Sequence, residues 1–384
     1  MKNKYAFLVF IILFIFNLSS AIAAPPALQR PFNDITASQL VADIKIGINL
    51  GNTFDATDYA AGWITPGWSV SQMESAWANP VITRANIIAY KNMGFNAIRI
   101  PVSWIKAADS NYNIRADWMA RITEVINWVV ENDMYAILNT HHDECTFKFT
   151  NAEVNTSLIA FRRIWEQIAH NFRNYNEKLI FEGLNEPRVK GSQAEWSGGT
   201  TAERANLNRH YQIFVDVVRA SGGNNDKRIL MINTYGASAS AAAVNGLVLP
   251  NDTIPNKLIV SIHAYEPFTF TTPNDQGGTT STWSRNNSRD TRAVHDAFTP
   301  VYNRFVRNGI PVIMGEFGAA NKNNTTARAE WAEYYVNYAK NRGIPCFYWD
   351  HGNLDDPVSL SIFDRRTNTI VQPEILAALM RGVN

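Results

Sequence analysis

Two glutamates stand at the ends of short apolar runs that lie far apart in the chain. Glu186 closes "LIFEGLNE" and Glu316 closes "PVIMGE". A carboxyl that stays protonated can donate to a leaving oxygen, and one that stays ionised can attack carbon or activate water. Other apolar runs also end in groups capable of chemistry. In chain order these are Asn52, Arg99, His141 beside His142, Asn233 or Tyr235, His263 with Tyr265, and Trp349. Arg99 can hold a neighbouring carboxylate ionised, while His141 and His263 can move a proton or orient an acid. Taken singly, each has a structural explanation: Glu186 as a loop carboxylate before Pro187, Glu316 as a helix cap, Arg99 as an ion-pair partner. Their shared position at run ends is what points to a site. Two facing carboxylates are what cleavage of a glycosidic bond requires. Glu182, also in the fourth run, reads as structural.

The elements that must bring these residues together are legible as eight short strands: "IKIGINLGN", "NAIRIPV", "YAILNTHH", "LIFEGLNE", "RILMINT", "LIVSIHAY", "PVIMGEF" and "PCFYWD". Each is rich in Ile, Leu or Val, as strands covered on both faces are. Between them apolar residues recur at helical spacing, as in Trp118, Ile122, Val125, Ile126 and Val129, or Leu158, Phe161, Trp165, Ile168 and Phe172. The same spacing recurs around Tyr211–Val218, Val294–Phe305 and Trp331–Tyr338. Several of these helices leave through glycine, at "NMGFN", "SGGNN", "RNGIP" and "NRGIP". Alternating strands and helices imply parallel pairing with right-handed crossovers. The expectation is an α/β fold, a single-domain (β/α)8 TIM barrel, whose strand ends form one ring at the carboxyl face. A doubly wound sheet is the alternative, but "GINLGN" lacks the Gly-x-Gly-x-x-Gly turn.

Composition narrows the function. The 384 residues are 46% hydrophobic and 18% charged, which describes a globular chain. Met1–Ala24 has a basic start, a short apolar centre and an Ala-Ile-Ala exit, the pattern of a secretory leader. Residues 25–384 are then the catalytic barrel domain of a secreted, extracellular or periplasmic protein. Losing Lys2 and Lys4 takes the formal charge from +1 to −1, which offers nothing to nucleic acid or to an anionic membrane. Cys145 and Cys346 read as free and buried. His141-His142-Asp143-Glu144 could suggest a metal site, but adjacent strand residues are expected to point to opposite sides, so that both histidines seldom ligate one ion. His170, His210 and His295 read as partly exposed helix residues. No Gly-x-Ser-x-Gly elbow supports a serine hydrolase. Trp63, Trp68, Trp77, Trp104, Trp196 and Trp283 follow strand ends, where flat indoles can stack on pyranose rings or simply pack loops. Trp118, Trp128, Trp165 and Trp331 belong to helix cores.

In "INLGNTFDA", "FNAIRIPVSW", "ILNTHHD", "FEGLNEPR", "SIHAYEPFTF", "VIMGEFG" and "YWD", in this order, the chain resembles glycoside hydrolase family 5, over about residues 40 to 380. The resemblance implies a retaining double displacement with Glu186 as acid/base and Glu316 as nucleophile. It implies that Asn185 bonds the sugar 2-hydroxyl and that Arg99 and Tyr265 support Glu316. His141 and His263 match the family's site histidines, and Trp349 its aromatic platform. Asn52 and His142 are expected to line the same cleft. His351 stands where relatives often carry Asn. The subgroup resembled is the bacterial endoglucanases. The implied activity is endo-hydrolysis of β-1,4-glucan, with xyloglucanase or β-mannanase as the alternative and a non-catalytic glycan-binding barrel as a further one. A β-glucan polysaccharide is the expected partner of a monomer that needs no cofactor and no metal.

Overall fold

A computed structural model describes residues 30–58, 64, 67–273, 278–356 and 359–384. The leader and Trp63 lie outside the described residues. Eight parallel strands close into a barrel in sequence order. They are β1 (Gly47–Leu50), β2 (Ala97–Ile100), β3 (Tyr135–Asn139), β4 (Leu179–Glu182), β5 (Leu230–Asn233), β6 (Leu258–His263), β7 (Val312–Phe317) and β8 (Cys346–Asp350). Closure is made by β1 on β8, with Gly47 opposite Phe347 and Leu50 opposite Asp350. The five long helices read from the sequence are Ala116–Glu131, Val154–Phe172, Thr201–Ala220, Ser288–Arg304 and Thr325–Lys340. Arg84–Asn92 follows β1, and Pro373–Val383 packs on Thr325–Lys340.

Alternation along each strand sorts its residues into two cores. Outward residues such as Ile48, Ile98, Leu138, Phe181, Ile232, Val260, Met314 and Tyr348 join the helices in one cluster. Inward residues Ala97, Ile137, Ile180, Met231, Ile259, Ile313 and Phe347 form a second. The helix Ala37–Asp43 supplies Leu40 and Val41 to that second cluster, so it plugs the amino-terminal mouth of the barrel. Two residues further along each strand the inward layer changes character. It becomes Asn49, Arg99, Asn139, Glu182, Asn233, Ser261, Gly315 and Trp349. The barrel floor is therefore apolar and its upper layer polar, and Glu182 belongs to that polar layer.

Three sequence readings are corrected. Trp104 is fully buried, with Nε1 donating to the Asn139 carbonyl at 2.8 Å, so it packs the core and offers no surface to a sugar. His210 is fully buried between Ser157 Oγ (2.8 Å) and the Asn206 carbonyl (2.9 Å). Cys346 is buried, but Cys145 is exposed; both are free. Among the described residues, no helix is long and apolar enough to cross a membrane.

Candidate active site

The upper layer is organised around Arg99, which is fully buried. Its Nε donates to Glu182 Oε2 at 2.7 Å, and its Nη1 donates to Glu316 Oε1 at 2.7 Å and to Asn49 Oδ1 at 2.9 Å. Nη2 donates to Asn185 Oδ1 at 2.8 Å. Two buried carboxylates facing it hold the guanidinium above its ordinary pKa against the opposing effect of burial. Glu182 is further satisfied by Asn139 Nδ2 (3.1 Å) and Asn233 Nδ2 (3.0 Å). This network fixes the upper layer against which Glu186 and Glu316 sit.

Glu316 is aimed inward by a register irregularity in β7, where the pairing with β8 shifts between Met314 and Phe317. Such a bulge re-aims a side chain that strict alternation would turn outward. Arg99 serves one of its oxygens, and the Tyr265 hydroxyl donates to the other at 2.9 Å. Glu186 lies beyond the end of β4, its side chain 18% exposed against 7% for Glu316. His263 Nδ1 lies 3.0 Å from Glu186 Oε1 and 3.6 Å from Glu316 Oε1. One oxygen of each glutamate and a His263 nitrogen all lie within 4.8 Å of one another. Arg188 donates to the Glu186 carbonyl at 2.8 Å and approaches its Oε2 at 3.4 Å.

Burial raises both carboxyls. At Glu186 the hydrogen bond and charge of His263, with the charge of Arg188, outweigh it and bring the group below its ordinary value. At Glu316 burial prevails over His263 and Arg99, helped by the nearby Glu186 charge, and the group lies above its ordinary value. Carboxyls this close titrate as a pair, and a proton held between them belongs to both. With no sugar bound, these directions run opposite to an acid at 186 and a nucleophile at 316.

The histidines differ. Asn139 Oδ1 accepts from the Val102 N–H at 3.0 Å, which turns its Nδ2 towards His141 Nδ1 at 3.0 Å. His141 Nδ1 is therefore an acceptor, and its proton sits on Nε2. Burial, with the charge of His142 next, holds this ring well below its ordinary pKa, so it is neutral. It stacks on Trp349, the centroids 5.9 Å apart and the planes 16° from parallel. Burial lowers His142 too, but Glu144, 3.4 Å away, and Asp55 more than offset that and raise its pKa overall.

The structure thus gathers Arg99, His141, Asn185, Glu186, His263, Tyr265, Glu316 and Trp349 at one mouth, with His142 beside them. Asn52 sits just beyond β1 in a left-handed turn (φ 55°), its N–H on Asp55 and its carbonyl on Asn79, while β1 itself contributes Asn49 to the Arg99 network. Asn49 and Asn139 are the contributors missed by reading only strand ends, and Glu182, read as structural, joins them in the Arg99 network. The polar second residue of each inward pair was the available signal. A cavity of about 1040 Å³ opens from Glu186, His263 and Tyr265 towards Trp196 and Phe268. These two aromatics are 58% and 57% exposed. The Arg188 guanidinium lies 4.2 Å from the Trp196 ring and backs it.

The profile of the Cellulase family (glycosyl hydrolase family 5) matches residues 56–355. Over 358 residues the chain is 42% identical to Cellulase/esterase CelE of Acetivibrio thermocellus, covering 92% of this chain and 41% of that one. It is 38% identical to Endoglucanase A of Clostridium longisporum, covering 90% of this chain and 66% of that one. This chain thus spans less than two thirds of the length of either relative. Among solved structures, a GH5-4 broad specificity endoglucanase from Ruminococcus champanellensis with bound cellotriose matches with a TM-score of 0.86 at 44% identity, over 91% of this chain and 100% of that one. The match across the barrel, together with the paired carboxylates at its mouth, makes this chain a member of glycosyl hydrolase family 5, the cellulase family.

Proposed function

We propose that this chain is a secreted, retaining endo-β-1,4-glucanase with Glu186 as acid/base and Glu316 as nucleophile. The observation that carries the reading is that one oxygen of Glu186 and one of Glu316 lie within 4.8 Å of each other, closer than a pair set apart to admit a water between them. Retaining glycosidases hold their carboxyls about 5–5.5 Å apart, whereas inverting ones need about 6.5–9.5 Å to admit a water. In the first step a Glu316 oxygen bonds to the anomeric carbon, the glycosidic bond breaks, and the Glu186 proton passes to the leaving oxygen. In the second step water attacks that carbon, gives its proton to Glu186 and releases Glu316 as carboxylate.

Donor placement supports these roles once a sugar is bound. Both oxygens of Glu316 receive a donor, Arg99 on one and Tyr265 on the other, and hydrogen bonds to the charged form favour ionisation there. Glu186 faces the open cavity, where a leaving oxygen gives a proton an acceptor. With Asn185 Oδ1 committed to Arg99, its amide nitrogen is left to meet the sugar 2-hydroxyl. Trp349, held parallel to His141, offers a flat platform beneath the reacting sugar. Trp196 and Phe268 lie on the Glu186 side, where the leaving end of the glycan would pass. The leader pattern of Met1–Ala24 supports export.

Cellotriose in the R. champanellensis structure, described as a broad specificity endoglucanase, favours a β-1,4-glucan substrate. The volume of the cavity beside Glu186, about 1040 Å³, leaves room for decorated glucans such as xyloglucan as a second class. The test is turnover of Glu186→Gln and Glu316→Gln on carboxymethylcellulose, lichenan, xyloglucan and mannan, with proton NMR of the first product. Each variant should lose about a hundredfold or more in kcat while still folding, and the wild type should release the β-anomer. Near-normal turnover in both variants, or release of the α-anomer, would reject the assignment.

A further inference from the structure

The loop that leaves β4 carries both Glu186 and Trp196. An indole that is 58% exposed has little packing of its own to fix its plane. Arg188 supplies that support. Its guanidinium lies over the Trp196 ring at 4.2 Å, its Nε donates to Glu195 Oε1 at 3.0 Å, and its Nη1 donates to the Glu186 carbonyl at 2.8 Å. Nη1 also approaches Glu186 Oε2 at 3.4 Å and Glu144 Oε1 at 3.7 Å. The side chain is only 8% exposed, so the fork is held inside the loop and does not swing into solvent. The loop around it is pinned as well. Glu195 Oε2 accepts from the Gly191 N–H at 2.7 Å, the Val189 N–H donates to the Tyr235 hydroxyl at 2.8 Å, and the Gly236 N–H donates to the Pro187 carbonyl at 2.8 Å.

We propose that Arg188 is a positioning residue that couples proton donation to glycan binding: one planar cation sets both the carboxyl of Glu186 and the plane of Trp196. The inference rests on the roles proposed for Glu186 and for the leaving side of the cleft. Its two actions are physically distinct. The charge acts on Glu186, and the flat face acts on Trp196. Arginine offers both at once, whereas lysine offers only the charge. Burial raises Glu186, and the hydrogen bond and charge of His263, followed by the charge of Arg188, bring it down. The influences that act most on Glu316 are burial, His263, Arg99 and Glu186. Arg188 therefore bears on one member of the pair. The other titratable or charged groups facing Arg188 and Glu186 are His142 and Glu144 after β3, Lys190 and Glu195 in the loop, His263 on β6, Tyr265 after it, and Glu316 on β7.

Two variants separate the actions. Arg188→Met keeps most of the bulk and loses the charge, so Glu186 holds its proton to higher pH. The basic limb of the kcat/KM–pH profile on an aryl cellobioside should move up by about half a unit or more, with the acidic limb near its wild-type place. Arg188→Lys keeps the charge and loses the flat face. Its limbs should stay near wild type, while kcat/KM on lichenan falls by about twofold to fivefold. In a Trp196→Ala background that lichenan loss should disappear, because no ring is left for the face to hold. A basic limb in Arg188→Met superimposable on the wild type would overturn the proposal. So would an Arg188→Lys loss on lichenan that persists undiminished in Trp196→Ala, and this cycle decides by itself should Arg188→Met fail to fold. Failure of the acid/base reading would instead show as retained turnover in Glu186→Gln, with the coupling between Arg188 and Trp196 intact.

Discussion

Arg99 carries more of the site than any other single residue. It has no exposed surface and meets two carboxylates and two amide oxygens from one planar fork. Lysine cannot reproduce that fork. Arg99→Ala leaves Glu182 and Glu316 buried without the cation that faces them, so stability should fall by about 3–5 kcal/mol, read as a lower urea midpoint, and turnover should vanish with it. Tyr265→Phe is milder. It removes one donor, at 2.9 Å, from Glu316. A hydrogen bond to a charged group contributes about 1.5–3 kcal/mol, so kcat/KM should drop by roughly tenfold to a hundredfold with folding unchanged. For pH, the sign follows from His263, which lowers both Glu186 and Glu316. In His263→Asn both carboxyls rise, so both limbs of the bell-shaped profile should move to higher pH in initial-rate measurements.

At the scale of elements, the strands work through their alternation. An apolar residue faces the floor and a polar one, two positions on, faces the mouth; Ile180 and Glu182 of β4 are the plainest case. Gly47 is where this packing is tightest, since a Cβ there would lie 2.2 Å from the Phe347 ring on β8. Gly47→Ala should therefore destabilise the barrel seam by about 1–3 kcal/mol in denaturant titration, with a matching fall in thermal midpoint. Helix placement was legible because five helices bury a regular stripe. Arg84–Asn92 and Pro373–Val383 escaped the sequence reading, as did the floor helix Ala37–Asp43. With 7 to 11 residues each, they offer too few turns for a periodic stripe to stand out.

At the scale of the molecule, the barrel separates stability from function along its axis. The apolar inner cluster and the plugging helix lie at one end, and the charged network and the cleft at the other. The cleft extends past Glu186 to Trp196 and Phe268, so substrates that reach those rings should gain from them. Trp196→Ala should cost about twofold to tenfold in kcat/KM on polymeric glucan, as a stacked aromatic contact of about 0.5–1.5 kcal/mol implies. The loss on a short aryl cellobioside, which ends near Glu186, should be clearly smaller. Equal losses on both substrates would mean that Trp196 acts through Arg188 and not through sugar contact.

The order and type of elements, the eight strands and the run-end residues Glu186, Glu316, Arg99 and His263 were determined by the sequence itself. Strand alternation, helical spacing and run termini are local properties of a chain. Four features were decided only by the tertiary structure: the entry of Asn49 into the Arg99 network, the part played by Glu182, the inward turn of Glu316 and the burial of Trp104. Each depends on how neighbouring strands register and where a bulge falls. Register is a relation between segments up to hundreds of residues apart, and no local pattern encodes it.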